Sequence, residues 1–350
     1  MTSTRTEPGA LMAAEIAEQP TVFDRILREG AAEAAEVGRV LRERRPRFVM
    51  LAGRGTSDHA ALYAKYLVEV RLGLPAGLAS PSTLTAYGSR PDLRDVLLVA
   101  VSQSGGSPDL VETVSVARAC GAHTLAVTNA PDSDLARAAE LTLDVRAGAE
   151  RAVAATKSYT AELLTLWLVV QGVLGEDASV AGTVPAAAAA LVDRADEVAA
   201  LAARYRFTDR IVLTGRGYSF PTALEGALKL METSYVAAHA FSGADLLHGP
   251  LAMIDSDHPV LAVVPPGVGE TAMRPVLERL RERGADVTVL GGPASLELAT
   301  VGMDLGHVLR EDLAPLVDVI PLQQLALRTA VARGSDPDRP RGLSKVTETW

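Results

Sequence analysis

Apolar residues follow two alternating rhythms along this chain. Short unbroken runs such as Phe48-Val49-Met50-Leu51-Ala52 and Val96-Leu97-Leu98-Val99-Ala100-Val101 end in turns rich in Gly, Ser or Pro. Between them lie longer stretches whose apolar positions recur every three or four residues. The first rhythm predicts strands buried on both faces and the second predicts amphipathic helices. Their alternation predicts parallel sheets built from right-handed strand-helix-strand crossovers, covered by helices on both sides.

The pattern also repeats. An apolar strand runs from Phe48 into Gly53-Arg54-Gly55-Thr56-Ser57, and another runs from Ile211 into Gly215-Arg216-Gly217-Tyr218-Ser219; Gly53 and Gly215 are offset by 162. The helix-period stretches 61–70 and 223–232 keep that offset. The strands Val96 to Val101 and Val260 to Val264 come next, then Gly121-Ala122 before one strand and Gly284-Ala285 before another, at an offset of 163. Self-similarity of this kind predicts two tandem doubly wound α/β domains. Residues 1–180 would hold an N-terminal helical segment, from about Ala10 to Arg44, and the first domain. Residues 181–206 form a helical connector, because Pro185 to Leu191 is alanine-rich and strongly helix-forming. The second domain spans 207–333. The polar tail 334–350 holds Pro337 and Pro340, so it can neither continue a helix nor add a central strand, and it is expected to lie over the active site.

At 350 residues the chain exceeds what one hydrophobic core usually supports, which agrees with two domains. With 48% hydrophobic, 22% charged and 4% aromatic residues, it has the makeup of a globular α/β protein. A formal net charge of -9 argues against nucleic acid or an anionic membrane as partner. The single cysteine, Cys120, excludes an internal disulfide, fits a reducing cytoplasm, and reads as a buried structural thiol within its apolar stretch. The N-terminus has no apolar core of signal-peptide length. The longest apolar run, Leu163 to Leu174, is broken by Gln171 and falls short of the roughly 20 residues that cross a bilayer.

In open α/β sheets ligands bind beyond the carboxyl ends of the strands, so the turns there are the place to look for chemistry. The first, Gly53 to Asp58, carries glycines in a dinucleotide-like spacing, but Asp58 stands where a small residue is needed, which disfavours a nucleotide. The second, Ser102-Gln103-Ser104-Gly105-Gly106-Ser107-Pro108-Asp109, follows a strand and opens a helix near Pro108. Hydroxyls, backbone N–H groups and a helix N-terminus converge there, as a phosphate monoester requires. Glu225, Lys229 and Glu232 share one helical face, and taken alone they read as a solvated Glu–Lys pair. His248 lies in a constrained Leu247-His248-Gly249-Pro250 loop; taken alone it reads as structural, as do His59, His123, His239, His258 and His307.

Together the motifs Gly55-Thr56-Ser57, Ser102-Gln103-Ser104-Gly105, Ala154-Ala155-Thr156-Lys157, Leu224-Glu225-Gly226-Ala227-Leu228-Lys229-Leu230 and His248-Gly249-Pro250 resemble, in order and spacing, the two-domain SIS (sugar isomerase) family. The likeness runs from Met12 to Lys345 and is strongest to the isomerase half of glucosamine-6-phosphate synthase and to stand-alone SIS-type glucosamine-6-phosphate deaminases. It implies a flavodoxin-like sheet in each domain and a cytoplasmic homodimer working without metal or nucleotide cofactor. By resemblance, Ser102, Gln103, Ser104 and Ser107 hold the sugar phosphate, and Thr56, Ser57, Val153 and Ser344 line the rest of the site. Glu232 matches the carboxylate that shuttles a proton between C1 and C2. His248 matches a ring-opening imidazole lent by a neighbouring subunit. Lys345 matches a tail lysine that meets the carbonyl carbon, and Lys229 a second lysine of the site.

Two departures bear on the reaction. The chain begins Met1-Thr2, without the cysteine that starts the synthase's glutaminase, so glutamine is not the expected nitrogen source. After Ser-Gln-Ser-Gly the synthase pattern has an acidic and then a hydroxyl residue, whereas here Gly106-Ser107-Pro108-Asp109 follows, as in the stand-alone branch. The expected reaction is glucosamine 6-phosphate plus water to fructose 6-phosphate plus ammonia. A fructosamine-6-phosphate deglycase and a non-catalytic sugar-phosphate-binding regulator are the alternatives.

Overall fold

The computed structural model describes residues 7–345 of the chain. Among these, ten strands form two five-stranded sheets whose pairings are all parallel. The first sheet contains β1 (Phe48–Ala52), β2 (Ala76–Leu78), β3 (Val96–Ser102), β4 (His123–Thr128) and β5 (Leu141–Asp144), in the order β2-β1-β3-β4-β5. The second contains β6 (Arg210–Gly215), β7 (Ala237–Ser242), β8 (Val260–Val264), β9 (Val287–Gly291) and β10 (Val301–Asp304), ordered β10-β9-β8-β6-β7, the same arrangement read from its other edge. This is the flavodoxin-like order, with the switch point between the first and third strands of each sheet. The expected doubly wound fold is therefore present twice.

The chain divides into two compact units, each assembled from separated segments. One comprises 19–150, 157–185 and 344–345 and holds the first sheet; the other comprises 7–18, 151–156 and 186–343 and holds the second. The predicted N-terminal helical segment is three helices, Ala10–Ala17, Gln19–Glu29 and Ala31–Arg44. The predicted connector contains the helices Val184–Val192 and Ala195–Ala202.

In the first-sheet unit, Leu98 and Ala100 face one side of β3 and pack with Leu110, Val114 and Ala117 of the helix Pro108–Ala119. Each such leucine, fully buried, contributes about 1.5–3 kcal/mol of hydrophobic stabilisation. Cys120, expected to be buried, is only half-buried, because it caps this helix at the edge of the cluster. The helix Lys157–Leu174 is buried on all sides from Lys157 to Gly172, which explains why its sequence is apolar without an obvious stripe. It meets the helix Ala31–Arg44 backbone to backbone: a Cβ at Gly38 would lie 2.5 Å from the Val169 carbonyl oxygen. No helix among the described residues is long and apolar enough to cross a membrane. In the other unit, β6, β8 and β9 pack through Val212, Val260, Ala262 and Val289 on Met273, Val276 and Leu280 of the helix Val268–Glu282.

Candidate active site

Ala52 pairs in register with Ala100, so the turn after β1 and the loop after β3 leave the sheet together at the switch point. Ser102 ends β3, and its Oγ accepts the Gly105 N–H at 3.1 Å; the Ser104 Oγ accepts the Gly106 N–H at 3.3 Å. A serine oxygen that accepts from an amide still has its own proton to donate, so both hydroxyls can serve an anion. Gly105 adopts φ +61°, and a Cβ there would fall 2.0 Å from the Ser133 Oγ, so the loop closes this tightly only with glycine. Ser107 is the N-cap of the helix Pro108–Ala119, yet its side chain makes no capping hydrogen bond. An N-cap serine ordinarily satisfies one of the first amides. Here the hydroxyl stands beside the positive end of the helix with that role unfilled. Gln103 is half-buried in the same loop, and its backbone carbonyl accepts the Asn129 N–H at 3.3 Å.

The turn after β1 supports this loop from the side. Arg54 Nε donates to Asp109 Oδ2 at 2.8 Å, and Asp109 is buried in the first turn of the helix Pro108–Ala119. Thr56 opens the helix Thr56–Leu67, and Ser57 donates its hydroxyl to Glu162 Oε1 at 2.9 Å, so that proton points into the protein. Asp58 is half-buried, and the loss of solvation raises its pKa above the usual carboxylate value.

The same unit holds the two tail residues. Lys345 Nζ lies 2.7 Å from Glu150 Oε2, and this wholly buried carboxylate also accepts from the Ser158 N–H at 3.1 Å and the Ser158 hydroxyl at 2.7 Å. Ser344 is exposed beside it. Arg54, Asp109 and Glu150 were not singled out in the sequence. Nothing in their immediate spacing marks them, since each gains its role from a partner distant in the chain.

In the second-sheet unit the helix Ser219–Ser234 carries Glu225, Lys229 and Glu232. They do not form a solvated pair: Lys229 and Glu225 have no exposed side-chain surface, and Lys229 Nζ lies 3.3 Å from Glu225 Oε1 and 2.6 Å from Glu232 Oε2. Burial alone would depress the lysine's pKa, but the two carboxylates outweigh it, and the net shift is upward. Lys229 is thus held as an ammonium and is no free amine nucleophile. Glu232 keeps 22% of its side chain exposed, so one oxygen is anchored while the group remains accessible. His248 is exposed at the end of the short helix Gly243–Leu247, before Gly249 at φ +127°, and its ring has no partner among the described residues. Val153 is half-buried in the segment 151–156, where the Glu15 carboxylate accepts the N–H groups of Arg151 and Ala152.

The second repeat also has a loop at its switch point, after β8, but its anion position is already filled. The Glu311 carboxylate accepts the Val268 N–H at 2.9 Å and the Gly269 N–H at 2.7 Å, both at the start of the helix Val268–Glu282. The repeats are alike in fold, while the first alone offers its serine-rich loop without an internal carboxylate of this kind among the described residues.

Comparison with known proteins gives a match to the model of the SIS domain over residues 44–171 and again over 205–333. A glutamine–fructose-6-phosphate aminotransferase (isomerizing) from Pyrococcus horikoshii is 36% identical over 344 residues, covering 95% of this chain and 57% of its own length. The chain thus spans about half the length of the curated relatives it matches. Among solved structures, one from Silicibacter pomeroyi, provisionally described as a phosphosugar isomerase, is 32% identical with a TM-score of 0.84, covering 93% of this chain and 99% of its own. A glucosamine-6-phosphate deaminase from Thermotoga maritima shares the fold, at 23% identity and a TM-score of 0.78, covering 97% of this chain and all of its own.

Proposed function

This chain belongs to the SIS-domain family, and we propose that it acts on an amino-sugar 6-phosphate, converting glucosamine 6-phosphate and water to fructose 6-phosphate and ammonia. The observation that carries this reading is the Glu232 carboxylate, fixed by the buried Lys229 ammonium yet partly open. Moving hydrogen between adjacent carbons requires one base that can take a proton from C2 and return it to C1, and a positioned carboxylate is suited to both.

In this reading the sugar ring opens first, with the His248 imidazole as acid and base. Its exposure and lack of a partner support the expectation that it serves a neighbouring subunit's site in a homodimer. Glu232 then removes the C2 proton of the open aldehyde form, giving an enolamine, and C1 is reprotonated to leave an imine at C2. Water adds to that carbon and the C–N bond breaks with release of ammonia. The hydroxyls of Ser102, Ser104 and Ser107, with Gln103, hold the phosphate; Thr56, Ser57, Val153 and Ser344 border the sugar. Lys345, engaged by Glu150, attends the carbonyl end.

A purely regulatory sugar-phosphate binder would use the serine loop but has no need of a buried lysine clamping a half-open glutamate, and this favours the enzyme. The test is a panel of amino-sugar phosphates and fructosamine 6-phosphates assayed for ammonia or amine release. Release from glucosamine 6-phosphate supports the reading; release from fructosamine phosphates alone redirects it to a deglycase, and release from none removes it.

A further inference from the structure

We propose that the first-sheet unit binds a single-chain amphiphile with an anionic head, of the class of a medium-chain carboxylate, in an apolar cavity beside its sheet. The cavity has a volume of about 340 Å³. Ligand sites typically run from about 300 to 1,000 Å³, mostly apolar with a few polar groups that fix orientation. Its wall includes Leu97 and Val99 from β3, Leu166 and Val170 from the helix Lys157–Leu174, and Val68; the polar residues that line it are Arg42 and Arg45.

Three observations converge on it. The two faces of β3 are filled unequally: Leu98 and Ala100 have no exposed surface, whereas Leu97 and Val99, on the cavity side, keep 5% and 6%. Protein interiors leave few voids larger than a water molecule, and apolar ones stay dry and accept apolar guests. Val68 and Leu72, which bound one wall, begin and end a π-helical turn, a rare distortion that is frequent at functional sites. The charge at the mouth is also unspent. Arg39 pairs with Glu36 and Glu43, Arg44 with Glu140, and Arg71 with Glu176. Arg42 and Arg45 are exposed and have no acidic partner among the described residues. Arg42 in the last turn of the helix Ala31–Arg44 and Arg45 as its C-cap owe their sign to the helix dipole, which does not account for a void behind them. An apolar tail with a carboxylate head matches both features, and a neutral apolar guest matches only one. The cavity runs along β1 from Val49 to Leu51 and along β3 from Leu97 to Val99, whereas the serine loop follows the end of β3 at Ser102. Occupancy is therefore separate from the proposed chemistry.

The experiment is isothermal titration of the full-length protein with decanoate, and with decanol as the uncharged counterpart. Wild type is expected to bind one decanoate saturably and to gain thermal stability from it. Replacing Arg42 and Arg45 together by Glu is expected to weaken decanoate at least tenfold while leaving decanol unchanged. Val99→Phe, which fills the void, is expected to abolish binding of both with the melting temperature kept or raised. Should Val99→Phe fail to fold, Val170→Met fills the same space from the helix side. Absence of saturable decanoate binding by wild type overturns the proposal, as does binding that survives a folded cavity-filling variant or that ignores the arginine replacements.

Discussion

Lys229 Nζ lies 2.6 Å from Glu232 Oε2, with the lysine wholly buried and the glutamate partly open. The pair fixes where the carboxylate stands without closing it to a substrate. Replacing Glu232 by Gln keeps an oxygen for the ammonium but removes the proton acceptor. Steady-state assays on glucosamine 6-phosphate should show kcat lower by about 10²–10⁴ with little change in KM. A comparable loss confined to KM would make Glu232 a binding group.

The same lysine is structural. Lys229→Met strips the cation from Glu225, which has no exposed surface, and removing one partner of a buried pair costs about 3–5 kcal/mol. Urea unfolding should register a loss of that order. Adding Glu225→Gln should return part of it, since the two changes share one interaction.

Gly105→Ala tests the proposed phosphate role of the serine loop. The added methyl would meet the Ser133 hydroxyl, and φ +61° is already unfavourable for alanine, at a cost of about 1–3 kcal/mol. A KM for the sugar phosphate raised at least tenfold is expected, by analogy with losing an oriented anion site. Gly182→Ala, whose Cβ would meet nothing within 4 Å, should be neutral in both assays.

Much of this was legible in the sequence. The continuous apolar runs gave the central strands β1, β3, β4, β6, β8 and β9 nearly to their ends, because strands buried on both faces leave no polar interruption. The edge strands β2, β5, β7 and β10 left weaker marks; β2 is only Ala76–Leu78, with a glycine at its centre, too short and too permissive to betray itself. The serine loop could be read because it is contiguous. The burial of Lys229 could not, since i, i+4 and i+7 spacing is the same on a wet helix and a dry one. Glu150 and Glu311 were invisible for a different reason: each is defined by amides or hydroxyls elsewhere in the chain, 8 residues away at Ser158 and 43 away at Val268.

His307 and Asp318 give the fold a pH dependence. Nε2 of His307 lies 2.6 Å from Asp318 Oδ1, with both side chains buried. Burial lowers the histidine's pKa, but the hydrogen bond and charge of Asp318 prevail, and the net shift is above the usual 6.5. A folded-state pKa raised above the unfolded one gives stability that is complete below about 6.5 and is lost as pH rises through the folded value. Melting temperatures of wild type should therefore fall above pH 6.5 more steeply than those of His307→Gln.

The most direct test follows deuterium from C2 of glucosamine 6-phosphate while ammonia is measured in the same reaction. With wild type the account predicts ammonia and fructose 6-phosphate in equal amounts, part of the deuterium at C1, and a rate slowed by the heavier isotope; with Glu232→Gln the ammonia, the fructose 6-phosphate and the label at C1 should fall together. Ammonia released at an undiminished rate by Glu232→Gln, or a wild-type protein that releases neither ammonia nor label, would contradict it.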